Sequence, residues 1–175
     1  MKKIITYAPF VIFLIICFFS LIYILRNSDP TKPPSALLNK PLPIFTAQSL
    51  LNDNDSISQS DLKNNIIVIN FFASWCLPCK AEHSLFFKIK NEYPNLFILG
   101  INHKDKKNDA LKYLEEEGNP YDYIGLDPEG MIALEFGVFG LPETFIINTD
   151  GKIIYKHLGP LTKKIINNEI KSILE

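Results

Sequence analysis

Two cysteines separated by two residues, Cys76 and Cys79, are the residues best suited to chemistry in this chain of 175 residues. They lie in the segment Trp75-Cys76-Leu77-Pro78-Cys79, between an apolar run and a helical pattern. The free N–H groups and the dipole of a helix N-terminus stabilise an anion. We therefore expect Cys76 to be a thiolate with a lowered pKa and a solvent-facing sulfur, and Cys79 to be the buried resolving thiol.

Three other uses of the cysteine pair compete with redox chemistry. A structural disulfide is possible in an oxidising compartment, but closing so short a loop adds little stability. A zinc site needs two further ligands, and His83, His103 and His157 show no paired spacing. Haem attachment of the cytochrome type requires a histidine directly after the second cysteine, where this chain has Lys80. The pattern favours redox chemistry and leaves a structural disulfide and, less favoured, a metal site as the alternatives.

The elements around the pair predict an α/β domain. In chain order they are two short strands within 44–57, a strand at 66–72, a helix at 77–93, a strand at 96–101, a helix at 108–117, a helical piece at 128–136, a hairpin of strands at 144–148 and 152–156, and a helix at 162–174. The run at 66–72 is typical of a strand buried on both faces. The strand–helix–strand order predicts a parallel pair within a mixed sheet flanked by helices on both faces.

An uninterrupted apolar segment, residues 4–25, predicts a membrane anchor. It has no charged residue, and 19 of its 22 positions are hydrophobic. At about 1.5 Å per residue it reaches ~33 Å, enough to cross the hydrocarbon core. A cleavable signal peptide has a shorter apolar core and a small-residue cleavage site, which is missing before Arg26. Because Lys2 and Lys3 precede the span, we expect residues 1–3 in the cytoplasm and the bulk of the chain in the periplasm.

The remaining sequence divides into a linker and one domain. Five of the twelve prolines lie in residues 26–43, which predicts a stiff tether, and residues 44–175 suit a single domain. Residues 27–175 carry 15 basic and 19 acidic side chains, a net charge of −4. This balance argues against a nucleic-acid partner, because phosphate contacts need a basic surface. The third cysteine, Cys17, falls within the apolar segment and is expected to be an ordinary small apolar side chain.

Two segments resemble the fingerprints of a known family. Residues 70–83, NFFASWCLPCKAEH, resemble the active-site segment of membrane-anchored thioredoxin-like proteins. Residues 137–145, GVFGLPETF, resemble the second fingerprint of the thiol:disulfide interchange proteins of cytochrome c maturation, the CcmG/DsbE family. Residues 118–121, GNPY, are similar to a further family segment. The resemblance implies a thioredoxin fold, a mixed central sheet flanked by helices, with an N-terminal β-hairpin extension and one preceding transmembrane helix.

The resemblance also implies roles for particular residues. Pro142 would be a cis-proline facing the cysteine pair, and Trp75, Leu141 and Pro142 would contact the substrate, whose extended chain could pair with the exposed backbone. An ordinary trans turn at Pro142 is the alternative. Glu82 and Glu143 would be acidic neighbours that tune the thiol pKa and move protons. The alternative for Glu82 is a solvated helix residue.

The function implied by the resemblance is that of a thiol-disulfide oxidoreductase, single-pass in the bacterial inner membrane, whose Cys76–Cys79 pair reduces the disulfide of the haem-binding motif of apocytochrome c. Its partners would be apocytochrome c, a membrane electron-donating thiol reductase of the CcdA/DsbD type and other cytochrome c maturation components. It would need no cofactor and no metal. The direction of electron flow depends on relative reduction potentials, so a general periplasmic thiol reductase or an oxidant stays open. A non-enzymatic apocytochrome-binding tether with a structural disulfide is the other alternative.

Overall fold

The described part of the N-terminal unit is a single helix. The computed structural model describes residues 2–25, 37–62 and 65–174, and the chain divides into compact units at 1–33 and 34–175. In the first unit, helix α1 runs over Lys2–Leu25 and contains Pro9. Across the described ranges, no helix reaches the combination of length and apolarity that a bilayer crossing requires. The anchor expected at 4–25 therefore stays a prediction, and residues 26–36 of the expected linker lie outside the described part.

The second unit alternates strands and helices. Its elements are β1 (Thr46–Ser49), β2 (Ser56–Ser58), a 3₁₀ turn (Gln59–Leu62), β3 (Ile67–Phe72), α2 (Leu77–Glu92), β4 (Phe97–His103), α3 (Lys107–Glu117), β5 (Tyr123–Asp127), α4 (Met131–Glu135), β6 (Glu143–Ile147), β7 (Ile153–Leu158), α5 (Lys163–Ile165), a π-helical segment (Ile166–Ile170) and α6 (Lys171–Leu174). Every element predicted from the sequence between 44 and 174 is present. Gly118 ends α3 with a φ of 83°, and the Thr162 hydroxyl accepts the N–H of Ile165 at the start of α5.

The strands form one mixed sheet in the order β2-β1-β5-β4-β3-β6-β7. The central strands β3, β4 and β5 are parallel, as the strand–helix–strand pattern predicts. The outer strands β1, β6 and β7 pair antiparallel with their neighbours. All six residues of β3 are buried, so this strand is covered on both faces as its β-branched and aromatic run predicts.

Strand β5 is the element that the sequence pattern did not predict. Its residues, Tyr123–Asp127, are interrupted by Gly125, which weakens the apolar signal of a strand. The glycine is required by packing, because a Cβ at this position would lie 2.5 Å from the Cβ of Ala47 on the neighbouring strand β1. The close approach of β1 and β5 therefore explains both the residue and the missed strand.

Two hydrophobic clusters cover the sheet. The first contains side chains of α2, α3 and the C-terminal helical segments, and it includes Cys76 and Cys79. The second contains side chains of α4 and of the residues before β1. Alternation along β3 divides its residues between the two clusters. Val68 and Phe72 lie in the first cluster, and the residues at 67, 69 and 71 lie in the second. The disulfide therefore belongs to the α2 side of the sheet.

The folded contacts begin earlier than the predicted linker boundary at residue 43. Asn39 donates its N–H to the carbonyl of Ile153, and Leu42 donates to the carbonyl of Gly151. Leu42 is also buried, with 8% of its surface exposed. Residues 39–42 thus pair with the β6–β7 hairpin, and proline content alone does not separate such a paired segment from a free tether.

Candidate active site

The disulfide between Cys76 and Cys79 lies at the N-terminus of α2. Cys76 is the N-cap residue, and its Sγ accepts a hydrogen bond from the N–H of Cys79 at 3.2 Å. Pro78 occupies the first turn of the helix, where a missing N–H donor leaves no bond unmade. The helix therefore directs an N–H group and its positive end at the sulfur of Cys76, which stabilises that sulfur as a thiolate.

Both sulfur-bearing residues are buried in this disulfide-bonded form. Cys76 is 4% exposed and Cys79 is 2% exposed. The expected solvent-facing sulfur at Cys76 is therefore wrong for the oxidised state, because this residue packs into the first hydrophobic cluster beside Ala73. The flanking side chains are exposed instead, Trp75 by 61% and Leu77 by 77%. Access to the disulfide is bordered by large apolar side chains.

The loop that carries Trp75 is fixed by the segment between β4 and α3. The Asp105 carboxylate accepts hydrogen bonds from the N–H of Ser74 at 2.6 Å, from its hydroxyl at 2.8 Å, and from the amide of Asn102 at 2.9 Å. The indole Nε1 of Trp75 donates to the carbonyl of Lys104 at 3.1 Å. These bonds hold the Trp75 ring in one orientation next to the cysteine pair.

The peptide bond between Leu141 and Pro142 is cis, as the resemblance implies. Leu141 is half-buried and packs against both hydrophobic clusters. Pro142 is buried, and its carbonyl accepts the N–H of Gly159 at 2.9 Å. Phe139, three residues earlier, is 78% exposed. The loop before β6 therefore combines a fixed proline with an exposed aromatic ring.

Glu82 is buried on the same side of the sheet as the disulfide. It is 1% exposed, so the alternative of a solvated helix residue is wrong. Its Oε1 accepts from the Asn70 amide at 2.9 Å, and its Oε2 accepts from the N–H of Leu161 at 2.6 Å. Burial raises the pKa of Glu82 to about 7, although both hydrogen bonds lower it in part. Because Glu82 follows Cys79 by three residues on α2, the two side chains share one helix face.

Glu143 has partners in the loop before β6 and on β7. Its Oε1 accepts the N–H of Phe139 at 2.7 Å, and its Oε2 lies 3.1 Å from the Nζ of Lys156. Lys156 also donates to the carbonyl of Gly137 at 2.6 Å, with its ammonium 5.2 Å from the ring centre of Phe145 in the second cluster. The structure thus brings Glu82, and not Glu143, to the disulfide's side of the sheet. Glu143 is bonded to the loop before β6 and to β7.

His83, to which the sequence assigns no role beyond surface or packing, is a buried packing residue. It is 3% exposed, and its Nε2 donates to the carbonyl of Gly118 at 2.9 Å. Burial is the main cause that lowers its pKa. The ring makes edge contacts with Tyr113 and Tyr121. His83 therefore ties α2 to the end of α3.

Three residues to which the sequence assigned no role, Asn70, Tyr121 and Thr144, complete the polar surroundings of Glu82. The side-chain Nδ2 of Asn70 also donates to the Thr144 hydroxyl at 3.1 Å, and the Tyr121 hydroxyl donates to the side-chain Oδ1 of Asn70 at 2.9 Å. A signal was present, since Asn70 is a polar residue within an apolar strand and buried polar groups require partners. Among the described residues, no group of three or more His, Cys, Asp or Glu side chains could hold a metal ion.

Comparisons with known proteins agree on one family. The Redoxin family model matches residues 37–174. The thiol:disulfide interchange protein DsbE of Escherichia coli (strain K12) is 37% identical over 180 residues, which cover 100% of this chain and 96% of that protein. This chain belongs to the DsbE family of thiol:disulfide interchange proteins. DsbE of Pasteurella multocida (strain Pm70) is also 37% identical, over 97% of this chain and 94% of the relative.

Solved structures support the same fold. The thioredoxin domain of a thiol-disulfide oxidoreductase from Bacteroides vulgatus superposes with a TM-score of 0.69 at 20% identity, covering 81% of this chain and 100% of that one. A secreted thiol-disulfide isomerase from Corynebacterium glutamicum gives a TM-score of 0.65 at 25% identity, covering 77% and 86%. The predicted thioredoxin-like α/β fold is confirmed, and Cys76–Cys79 is the redox pair of a thiol-disulfide oxidoreductase.

Proposed function

We propose that this DsbE family member is a membrane-tethered periplasmic reductant of cytochrome c biogenesis, which reduces the disulfide of the haem-binding motif in apocytochrome c. The observation that carries the proposal is the Cys76–Cys79 pair at the start of α2 in a chain 37% identical to DsbE along its whole length. The relative named CycY from Rhizobium leguminosarum bv. viciae, 39% identical over 74% of this chain and 69% of its own, supports the same assignment.

The first step is attack by the Cys76 thiolate on one sulfur of the substrate disulfide. A sulfur–sulfur bond forms between Cys76 and the substrate, and the substrate's second sulfur leaves as a thiolate that takes a proton from water. The N–H of Cys79, 3.2 Å from the Sγ of Cys76, favours the thiolate form of the attacking sulfur.

The second step is resolution by Cys79. Its thiol loses a proton to the Glu82 carboxylate, and the resulting thiolate attacks the Sγ of Cys76. The mixed disulfide breaks, the substrate's first sulfur leaves as a thiolate, and the chain is left with the Cys76–Cys79 disulfide. A carboxyl group with a pKa of about 7 is suited to this transfer, because it accepts and returns a proton near neutral pH.

The substrate would bind over the surface around the disulfide. Trp75, Leu141 and Pro142 are the expected contacts; of these Trp75 is exposed, Leu141 is half-buried and Pro142 is buried. The exposed ring of Phe139 extends the apolar surface. A peptide in extended conformation can pair with backbone groups next to a cis-proline while its side chains contact the apolar rings. This mode of binding places few demands on charge, in keeping with the net charge of −4 over residues 27–175.

The anchor and the electron donor are part of the proposal. Along α1 the large apolar side chains are exposed, including Phe10 by 61% and Phe19 by 64%, and these surfaces suit lipid contact. A periplasmic domain at the membrane needs a donor that delivers electrons across the bilayer, such as a membrane thiol reductase of the CcdA/DsbD type. That partner would return the oxidised Cys76–Cys79 pair to the dithiol.

A trapping experiment tests the mechanism. A Cys79→Ser variant, in a Cys17→Ser background, is mixed with an oxidised peptide that carries the haem-binding CxxCH motif. We expect a mixed disulfide through Cys76, detected by mass spectrometry. The matched control is the Cys76→Ser, Cys79→Ser double variant, which should trap nothing. Failure of Cys79→Ser to trap the peptide would remove the proposed substrate.

Two measurements separate the proposal from its alternatives. Redox equilibration with glutathione gives the reduction potential, and a strongly oxidising value would identify an oxidant instead of a reductant. Cytochrome c assembly in cells that carry only the Cys76→Ser, Cys79→Ser variant tests the tether. Assembly at the wild-type level would show that non-covalent binding is sufficient.

A further inference from the structure

A chain of hydrogen bonds between buried side chains leads from Tyr121 to Glu82. The Tyr121 hydroxyl donates to Oδ1 of Asn70, and Nδ2 of Asn70 donates to Oε1 of Glu82, each at 2.9 Å. Asn70 and Glu82 are each 1% exposed, and Tyr121 is 6% exposed. Since water does not reach these groups freely, each depends on its protein partner.

The chain has a direction, because the two ends of an amide differ. Oδ1 of Asn70 only accepts and Nδ2 only donates. With Oδ1 bonded to the Tyr121 hydroxyl, Nδ2 faces the Glu82 carboxylate, and a carboxylate that receives a donor is favoured in its ionised form. Hydrogen bonds in such a chain polarise one another, so the phenol strengthens the bond that the amide makes.

We propose that Tyr121 and Asn70 are positioning residues for proton transfer at Cys79: the Tyr121 hydroxyl orients the Asn70 amide, and the amide stabilises the ionised carboxylate of Glu82. Without this support, burial would hold Glu82 protonated to a higher pH and delay its action as a proton acceptor. The inference deepens the proposed mechanism and rests on the role given there to Glu82.

Titratable groups on the elements around Glu82 must also be considered. Cys79 is held in the disulfide in the oxidised protein, which leaves His83 on α2, Tyr113 on α3, Tyr121 before β5, and His157 on β7, which pairs with Thr144. Burial is the largest cause that raises the pKa of both Tyr113 and Tyr121, and the charge of Glu82 adds to the increase in each. Both phenols therefore stay neutral near pH 7 and act on Glu82 as dipoles.

Tyr113 provides a matched control for Tyr121. Both rings pack against Phe72 and His83, and both hydroxyls are buried. The Tyr113 hydroxyl has no hydrogen-bond partner among the described residues, whereas the Tyr121 hydroxyl is bonded to Asn70. Replacing either tyrosine with phenylalanine removes one buried oxygen and preserves the ring. Of the two variants, only Tyr121→Phe removes a hydrogen bond to Asn70.

The experiment measures the titration midpoint of Glu82 in the oxidised full-length protein by NMR of ¹³C-labelled glutamate side chains, with Glu82→Gln used to assign the signal. We expect Tyr121→Phe to move the midpoint to higher pH by about half to one unit, the equivalent of one net hydrogen bond. Tyr113→Phe should leave it in place. In an Asn70→Ala background, Tyr121→Phe should produce no further shift.

An unchanged midpoint in Tyr121→Phe, or an equal shift in Tyr113→Phe, would overturn the inference. The proposed role of Glu82 is judged separately, from the rate at which dithiothreitol opens the disulfide, followed by the fluorescence of Trp75, the single tryptophan of the chain. If Glu82→Gln leaves the pH profile of that rate unchanged, the proton-transfer role fails. The NMR midpoints would still decide whether Tyr121 and Asn70 stabilise the ionised carboxylate.

Discussion

Glu82 and Glu143 are both buried carboxylates, 1% and 0% exposed, but they have different partners. Glu82 receives two neutral donors, the Asn70 amide and the N–H of Leu161. Glu143 lies against the ammonium group of Lys156. A cation compensates the charge of a buried carboxylate, whereas neutral donors leave part of the desolvation cost in place. Burial raises the pKa of Glu82 to about 7 despite its two neutral donors, whereas Glu143 and Lys156 form a buried ion pair.

The two arrangements also have different consequences for the site. Glu82 shares a helix face with Cys79, so a proton that it accepts or releases acts on the disulfide chemistry. Glu143 and Lys156 are bonded to Phe139 and Gly137, so their pairing fixes the loop that leads to the cis-proline. The comparison therefore agrees with the proton-transfer role proposed for Glu82, and it assigns Glu143 to the geometry of the loop before β6.

The largest expected effect is on stability when the Glu143–Lys156 pair is broken. Glu143→Gln retains an oxygen for the N–H of Phe139 but leaves the Lys156 ammonium buried without its carboxylate. Loss of one partner from a buried pair costs about 3–5 kcal/mol, so we expect urea unfolding to show a loss of that size. Lys156→Met should have a similar effect, because it leaves the Glu143 carboxylate buried without its cation.

The exposed pair of Lys112 and Glu116 is the matched control. Their side chains are 73% and 58% exposed and the charged atoms lie 3.8 Å apart, so Lys112→Met should cost about 0.5 kcal/mol or less. If Glu143→Gln were fully stable yet slowed disulfide opening as strongly as Glu82→Gln, the two carboxylates would share one role. The proton-moving function that the family resemblance implies for Glu143 would then be restored.

The second effect is a pH dependence of stability that belongs to Glu82. Its pKa is about 7 in the folded chain and near its ordinary value of 4.5 when unfolded, so the folded state binds more protons between these values. The contribution of Glu82 to stability is therefore complete below pH 4.5 and falls as the pH rises towards 7. At 1.36 kcal/mol per pH unit, the loss between pH 4 and pH 8 is about 3 kcal/mol.

Comparison with Glu82→Gln isolates this contribution. His83 acts in the opposite sense, because burial lowers its pKa and its contribution to stability increases as the pH rises towards its ordinary value of 6.5. Both proteins contain His83, so the difference between their free energies of unfolding, measured in urea at several pH values, reports Glu82 alone. A constant difference from pH 4 to pH 8 would mean that Glu82 does not titrate in this range.

The third effect is on the rate of disulfide opening. In the proposed mechanism, when dithiothreitol attacks Cys76, Cys79 leaves as a thiolate, and protonated Glu82 supplies the proton that the thiolate takes up. Glu82→Gln removes this donor and should slow opening at pH 7 on the order of 100-fold, the lower end of the range for general acid–base catalysis. Glu135→Gln, which changes an exposed carboxylate on α4, should react at the wild-type rate. A wild-type rate in Glu82→Gln would contradict the assignment.

The sequence predicts Glu82 better than it predicts Glu143. Glu82 follows Cys79 by three residues on a helix with clear spacing, so its face is determined by local geometry. Glu143 follows Pro142, and its face depends on the pairing of β6 with β3 and β7, which only the folded sheet specifies. The position of Glu143 next to Pro142 therefore indicated a side chain close to the disulfide. Strand alternation instead places that side chain on the opposite face of the sheet.

The same reasoning explains the rest of the fold and site. Local patterns were sufficient for the cysteine pair, for α2 and for the β6–β7 hairpin, because helical spacing and the turn signal Asp150-Gly151 act within a few residues. The bond from Tyr121 to Asn70 joins residues 51 positions apart, and strand β5 depends on pairing with β4 and β1. Such features follow from long-range pairing, which a sequence pattern does not specify.

The smallest expected effect tests whether the two carboxylates belong to separate networks. Thr144 is adjacent to Glu143 in β6, but its hydroxyl accepts from Asn70 on the Glu82 side. Thr144→Val should cost about 1 kcal/mol of unfolding free energy. Combined with Tyr121→Phe, which alters the same amide, it should be non-additive by at least about 0.5 kcal/mol, whereas with Lys156→Met the costs should add. Coupling of Thr144 to Lys156 instead would show that one polar network crosses the sheet, and the contrast between Glu82 and Glu143 would no longer hold.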